Sequence, residues 1–392
     1  MEEPWFKCGD SRSVINEPGD VGGDGKNDQS YPTLNEVCGE RIRERRFCLH
    51  ANCAEAIGRR QVPINALSGA RVQLLSRLIR VPFRFFIDFD MEALKNIPTS
   101  LPAGVAPTYK VLLPHLIANK DAFAKQYDRR ETYSYGSDPR QELDVYYPHS
   151  VNDSTPVLLF LYGGGFFMGD KRSKQHPELM YANLGAFFCD KGFITVIADY
   201  RLSKGPGGLG GNAKYPSGAE DIVGALKGIA VNLGKTREVF LMGNSAGAVH
   251  VMTFLLEPSF LRSTDANIAG AVLVSPPAHQ RSADSNRAEV NAAYYGSLEA
   301  TDTNSPYGLL LRNGPVSVPM LSMVATLDEA GIIKSWADFS QEYAKQGGKC
   351  DEIPLEGHNH MSPILALNST ETEGTNWGSD AAQWMLKQMK GI

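Results

Sequence analysis

The 392-residue chain lacks any run of about 18 uncharged apolar residues, the length a helix needs to cross a bilayer. It opens Met1-Glu2-Glu3-Pro4, without the basic start and apolar stretch of a secretory signal, so the expectation is a soluble, cytoplasmic protein. Its six cysteines are few and scattered, which excludes a disulfide framework and reads as reduced thiols. Cys38, Cys48, His50 and Cys53 lie near one another but lack the paired Cys-x2-Cys spacing of most structural zinc sites, so no metal is expected. Positive charge is not concentrated either. The formal net charge is −5, and the one Arg-rich stretch, Arg41 to Arg46, carries Glu40 and Glu44 with it. A solvated segment is expected there rather than a phosphate footprint, and nucleic acid is excluded as a partner class. No internal repeat is present.

What the chain does have is 42% hydrophobic residues over a length that supports a large core. They are unevenly placed. Residues 1–67 have little periodic apolar pattern and contain Gly19-Asp20-Val21-Gly22-Gly23-Asp24-Gly25, a composition that poorly repays ordering entropy; a disordered arm is expected. From Val72 to Lys125 apolar residues take helical spacing, as at Leu74, Leu75, Leu78 and Ile79, followed by Phe83, Phe85 and Phe86, so residues 68–127 read as a helical lid. Beyond Tyr127, short apolar runs alternate with amphipathic stretches. The strand candidates are Val157 to Tyr162, Phe193 to Ala198, Val239 to Met242, Ala271 to Val274, Met320 to Ala325 and Asp351 to Leu355. Helix candidates are Pro216 to Leu233, Ala246 to Leu256, Ser335 to Lys345 and Asp380 to Met389. This alternation predicts an α/β protein with a mostly parallel sheet covered by helices on both faces. Residues 128–392 form the expected catalytic domain, with a lid insertion at about 276–315. Functional groups then belong at the carboxyl ends of the strands.

One such end carries Gly243-Asn244-Ser245-Ala246-Gly247, between a strand candidate and a helix candidate. A turn that sharp brings the positions two before and two after the serine against neighbouring backbone, which is why glycine stands at both. The Ser245 hydroxyl is left at a helix N-terminus, where the dipole and the free amide of Ala246 favour a developing negative charge. A second donor set is needed, and Tyr162-Gly163-Gly164-Gly165-Phe166 follows an earlier strand candidate with a backbone free to approach a carbonyl. A nucleophilic serine also needs a base and a carboxylate that orients the base. Asp328 follows the Met320 to Ala325 run, with Glu329 beside it as rival, and His358 and His360 both follow the last strand candidate. His360, directly before Met361 and the Ser362-Pro363 helix start, is the preferred base, and His358 is read as a supporting residue. His250 is expected to pack locally, and Asp199 and Asp221, both ahead of Ser245, are read as scaffold ion pairs.

These motifs, from about Tyr133 onward, resemble the esterase/lipase branch of the α/β hydrolases related to hormone-sensitive lipase, and its feruloyl-esterase-like and kynurenine-formamidase-like neighbours. The likeness rests on the Tyr162 to Phe166 loop with Gly169-Asp170-Lys171, on Asp199-Tyr200-Arg201-Leu202, on Tyr215-Pro216 with Asp221, on the Ser245 turn, and on Asp328 and His360. It implies a serine esterase with a Ser245, Asp328, His360 triad, an oxyanion hole of Gly164, Gly165 and Ala246, a small-molecule ester as substrate, and no cofactor. Acyl transfer or amide cleavage by the same triad is the alternative; a receptor that had lost catalysis would be expected to lack the base. Two positions depart from the family: Tyr162 stands where it usually has His, and Asn244 where it often has Asp or Glu. Tyr294, Tyr295 and Tyr307 suit an apolar or aromatic substrate group and equally suit lid packing.

Overall fold

The computed structural model describes residues 91–174, 176–280, 285–369 and 373–389. The expected arm, the Cys38 to Cys53 group and the first part of the expected lid lie outside the described residues. Chain contacts divide after Phe85, and the described residues all belong to the unit Phe86–Ile392.

Eight strands form one sheet: β1 (Glu131–Ser134), β2 (Glu142–Tyr146), β3 (Val157–Leu161), β4 (Ile194–Ala198), β5 (Glu238–Asn244), β6 (Asn267–Val274), β7 (Met320–Met323) and β8 (Asp351–Glu352). Their order is β1-β2-β4-β3-β5-β6-β7-β8, with β1 and β2 antiparallel at one edge and the rest parallel. Every residue of β3 and β4 is buried. That is the physical reason these strands are continuous apolar runs rather than alternating ones: both faces of a parallel sheet are covered.

The helices that matter for the site are α1 (Leu101–Asn119), α2 (Ala182–Asp190), α3 (Ser217–Leu233), α4 (Ala246–Leu256), α5 (Ser285–Tyr295), α6 (Leu298–Asn304), α7 (Pro306–Asn313), α8 (Ala330–Lys345), α9 (Ser362–Ala366) and α10 (Asn376–Gln388). α4 rests on β3, β5 and β6 with α3 and α7 against it, and all of its residues are buried, so it is apolar around its whole circumference. α8 instead buries one stripe, Ile332, Trp336, Phe339 and Tyr343, at the spacing of a surface helix. It ends where Gly347 takes φ 85°, a left-handed conformation that favours glycine.

Several boundaries differ from the sequence expectation. The β1–β2 hairpin carries no apolar run, since β1 is an exposed edge strand, and its pattern does not read as a strand pair. The last strand stops at Glu352, with only an isolated bridge between Ala325 and Leu355 continuing it. α8 starts five residues earlier than the Ser335 expected, with Ile332 of its first turn buried, and α10 starts four residues earlier than Asp380, with Trp377 of its first turn buried. Most residues from Met91 to Arg129 are helical, and α1 places Thr108, Leu112 and Leu116 on one buried stripe despite Pro107 and Pro114 inside it.

Leu241 is fully buried at the centre of β5, opposite Leu159 and Ala271. Leu241→Ala is expected to cost about 2–5 kcal/mol, the range for an aliphatic core truncation, read as a lower denaturant midpoint at unchanged slope.

Candidate active site

Ser245 sits between β5 and α4 at φ 54° and ψ −120°, and its amide donates to the Val274 carbonyl at 3.0 Å. A left-handed non-glycine residue is strained and must be held by its surroundings. Here the flanking glycines show how tightly. A Cβ at Gly247 would lie 2.1 Å from the Leu161 carbonyl oxygen, and one at Gly243 would lie 2.5 Å from the Ala248 backbone. The turn therefore lets the start of α4 press against the end of β3, and any side chain at either position would push them apart.

The glycine loop meets the same point from β3. A Cβ on Gly163 would stand 3.1 Å from Ser245 Cβ and 3.0 Å from Asn244 Oδ1. Gly164, Gly165 and Phe166 follow with φ of 137°, 57° and 73°. The loop closes on itself when the amides of Phe167 and Met168 both donate to the Gly164 carbonyl. Among the described residues, the Gly164 and Gly165 amides donate to no protein acceptor. Together with the first-turn amide of Ala246 they are donors that a developing oxyanion could use.

Asp328 and His360 come from loops beyond β7 and β8 and meet directly. His360 Nδ1 lies 2.9 and 3.0 Å from the two Asp328 oxygens, and both side chains are almost fully buried. Asp328 also accepts the Glu329 amide at 2.7 Å. The rival carboxylate, Glu329, points elsewhere: it accepts the Leu101 amide at the start of α1 and faces Arg287. The rival imidazole, His358, turns to Ser362 at 2.9 Å, while its carbonyl takes the Leu327 amide. Between the two histidines, Asn359 donates to Thr108 of α1 and accepts from the amides of Met361 and Ser362. Ser245, Asp328 and His360 thus lie at the carboxyl edge of the sheet, but Ser245 Oγ makes no hydrogen bond to His360 among the described residues.

Other residues named from the sequence take supporting places. His250 is buried in α4, T-shaped to Tyr200 at 4.7 Å and 3.4 Å from the Tyr294 hydroxyl, and burial pushes its imidazole down to about 3. Tyr294 stacks on Phe166 with centroids 4.5 Å apart, and Tyr295 meets the same ring at its edge. These rings back the glycine loop. Asp221 holds the Arg201 amide and guanidinium, and Asp199 lies among Arg140, Tyr162 and Lys171. Arg140 is not singled out by the sequence. Its only local signal is the Asp138-Pro139-Arg140 turn, where Asp138 accepts the Arg140 amide.

Burial also depresses His358, to about 4 from an ordinary 6.5. Its folded value lies below its unfolded one, so the unfolded chain takes up the proton first as pH falls. The stability that the neutral, buried ring contributes is therefore intact above about pH 6.5 and drains away toward pH 4. His250 acts with the same sign from the same upper limit, its window reaching down to about pH 3. Replacing His358 with Asn is expected to flatten the fall in unfolding free energy between pH 6.5 and 4, measured by denaturant titration at several pH values; an unchanged slope would contradict this.

The comparisons with known proteins agree with this architecture. The BD-FAE family model matches residues 143–257, which span β2 through α4. Isoprenylcysteine alpha-carbonyl methylesterase of Arabidopsis thaliana is 29% identical over 144 residues, 34% of this chain. Juvenile hormone esterase of Tribolium castaneum is 34% identical over 134 residues, 32% of this chain. The aligned region spans only 29% of the former and 21% of the latter. Among solved structures, an esterase from Pyrobaculum calidifontis superposes with a TM-score of 0.52 at 18% identity, covering 71% of this chain and 93% of that one. A fungal esterase from Rhizomucor miehei superposes with a TM-score of 0.52 at 15% identity, covering 70% of this chain and 90% of that one. At such identities the structures establish the fold. No helix among the described residues is long and apolar enough to cross a membrane. By fold the chain is an α/β hydrolase, and its residues 143–257 match the BD-FAE family model.

Proposed function

We propose that this protein is a serine esterase that cleaves carboxylic esters of small molecules through an acyl-enzyme intermediate. The observation that carries the reading is the buried Asp328–His360 pair on the sheet edge that also bears the strained Ser245 turn. With Asp328 holding the Nδ1–H, His360 keeps Nε2 as its basic nitrogen, the tautomer a general base needs. His360 takes the proton as Ser245 Oγ adds to the ester carbonyl. The amides of Gly164, Gly165 and Ala246 receive the negative charge on the carbonyl oxygen. Collapse expels the alcohol, which leaves with the proton from His360, and water activated by the same imidazole then releases the acid. Ser245 and His360 need to approach for this, and catalytic hydrogen bonds of this kind tighten on substrate binding.

The relatives' names support ester chemistry, and the isoprenyl group in one of them is apolar, in line with an apolar or aromatic substrate part. Residues 68–127, of which Met91 to Tyr127 are described, and the 276–315 segment are the parts of the chain proposed to shape that substrate's access. No metal or cofactor enters the scheme.

A fluorophosphonate probe is expected to label the wild-type protein and to leave Ser245→Ala unlabelled. Hydrolysis of p-nitrophenyl esters of rising chain length should fall by roughly a thousandfold or more in Ser245→Ala and His360→Ala. His358→Ala should keep most of its turnover per folded molecule. Equal labelling of Ser245→Ala, or a loss that follows His358 instead of His360, would overturn the assignment. Running the ester assay with a competing alcohol or amine separates hydrolysis from acyl transfer.

A further inference from the structure

The glycine loop is tied down at both ends by a group of charged and phenolic side chains, fully buried at Tyr162 and Tyr200 and half-buried at Arg140 and Asp170, that a triad and its donors do not account for. At its start, the Tyr162 hydroxyl donates to Asp199 Oδ1 at 2.5 Å and accepts from Arg140 Nη2 at 2.7 Å. At its return, the same Nη2 donates to the Gly169 carbonyl at 2.8 Å, and Nη1 donates to Asp170 at 3.0 Å. The Lys171 amide closes the circuit on Asp199 Oδ1 at 2.6 Å. Arg140 Nε donates to the Tyr200 carbonyl at 2.9 Å, and the Tyr200 hydroxyl donates to the Tyr162 carbonyl at 3.0 Å. The proton directions are fixed. A guanidinium can only donate, so the phenol must accept from it and pass its own proton toward Asp199.

Two further contacts connect this group to the reacting serine. The Tyr162 ring is fully buried between Tyr181 and Tyr200, and a Cβ on Gly169 would lie 2.6 Å from it, so the returning loop packs directly on that ring. The next residue, Gly163, abuts Ser245. Burial, reinforced by the Asp199 charge, raises the Tyr162 phenol well above its ordinary range, which keeps it protonated and donating.

The geometry points to Arg140 and Tyr162, acting through Asp199, as positioning residues that fix the glycine loop so that the Gly164 and Gly165 amides face the carbonyl attacked by Ser245. This rests on the esterase reading above. Arg140 reaches the loop from the turn between β1 and β2, outside the 143–257 segment that matches the family model. Tyr162 is the residue that departs from the family's usual His. The guanidinium's planar fork bridges strand end and loop return at once, a task an ammonium cannot do as a single point charge. Loss of either member should leave substrate binding largely intact and weaken the interactions made only in the transition state.

The test compares wild-type, Tyr162→Phe, Arg140→Lys and Arg140→Gln in p-nitrophenyl butyrate hydrolysis and in the rate of fluorophosphonate reaction at Ser245. Melting temperatures and deuterium exchange of the peptide covering residues 163–171 are measured alongside. The expected result is a kcat lower by roughly 10- to 100-fold, below the cost of deleting an oxyanion donor outright, with KM within about threefold. Ser245 phosphonylation should slow in parallel, exchange over 163–171 should rise, and Arg140→Lys should not rescue Arg140→Gln. The proposal is overturned if kcat per folded molecule stays within twofold of wild type, if KM alone changes, or if Arg140→Lys restores full turnover. A wild-type protein whose Ser245 reacts with neither reagent would overturn the esterase reading itself, and this inference with it.

Discussion

The whole carboxyl edge of the sheet depends on one steric constraint: the close approach of the α4 N-terminus to the end of β3 around Ser245. Backbone oxygens of Leu161 and Tyr162 stand 2.1 and 2.6 Å from where a Gly247 side chain would begin, so the contact exists only because no side chain is there. That approach has two effects. It drives Ser245 to φ 54°, which lifts its side chain out of the strand register, and it brings the first free amide of α4 beside the glycine loop that leaves β3. A helix packed at ordinary distance would leave the serine as a plain N-cap residue.

Around this contact the protein uses its buried charges to hold loops. Asp199 and Arg140 secure the two ends of the glycine loop, Asp221 secures Arg201, and Asp328 secures His360. Each of these buried carboxylates accepts from at least two donors, which is what makes removal from water tolerable. The apolar side of the same design is the cluster of Phe166, Val249, Val290, Tyr294 and Tyr295 behind the glycine loop. The segment expected to act as a lid thus also supplies packing beneath the loop, since Tyr294 and Tyr295 are buried against Phe166. α1 is linked to the His360 loop through the Asn359–Thr108 hydrogen bond, and Leu112 and Leu116 pack with Leu365.

Much of this arrangement is legible in the chain itself. β3 to β7 announce themselves because burial on both faces demands unbroken apolar runs, and Ser245, the glycine loop and Asp328 each follow such a run, whereas His360 follows the short, exposed β8. The β1–β2 hairpin is not legible. Its outer strand faces solvent, and its residues carry no period that distinguishes them from a loop. The hidden hairpin also conceals Arg140, whose role arises from contacts to residues 22 to 60 positions away. Nothing local in Asp138-Pro139-Arg140 points to such partners.

The sequence by itself determined the fold class, the position of the strained serine and the short set of candidate residues proposed to serve it, because apolar period and the glycines flanking a sharp turn are local properties. Only the tertiary structure decided which histidine meets Asp328, since His358 and His360 are two residues apart on one loop and the path of that loop turns one to Asp328 and the other to Ser362. It also decided that Tyr162, a residue read from the sequence only as a departure, joins Arg140 and Asp199 in a single hydrogen-bonded network. Such networks depend on distances between chain-distant groups, and those are set when the sheet closes and its loops come to lie side by side.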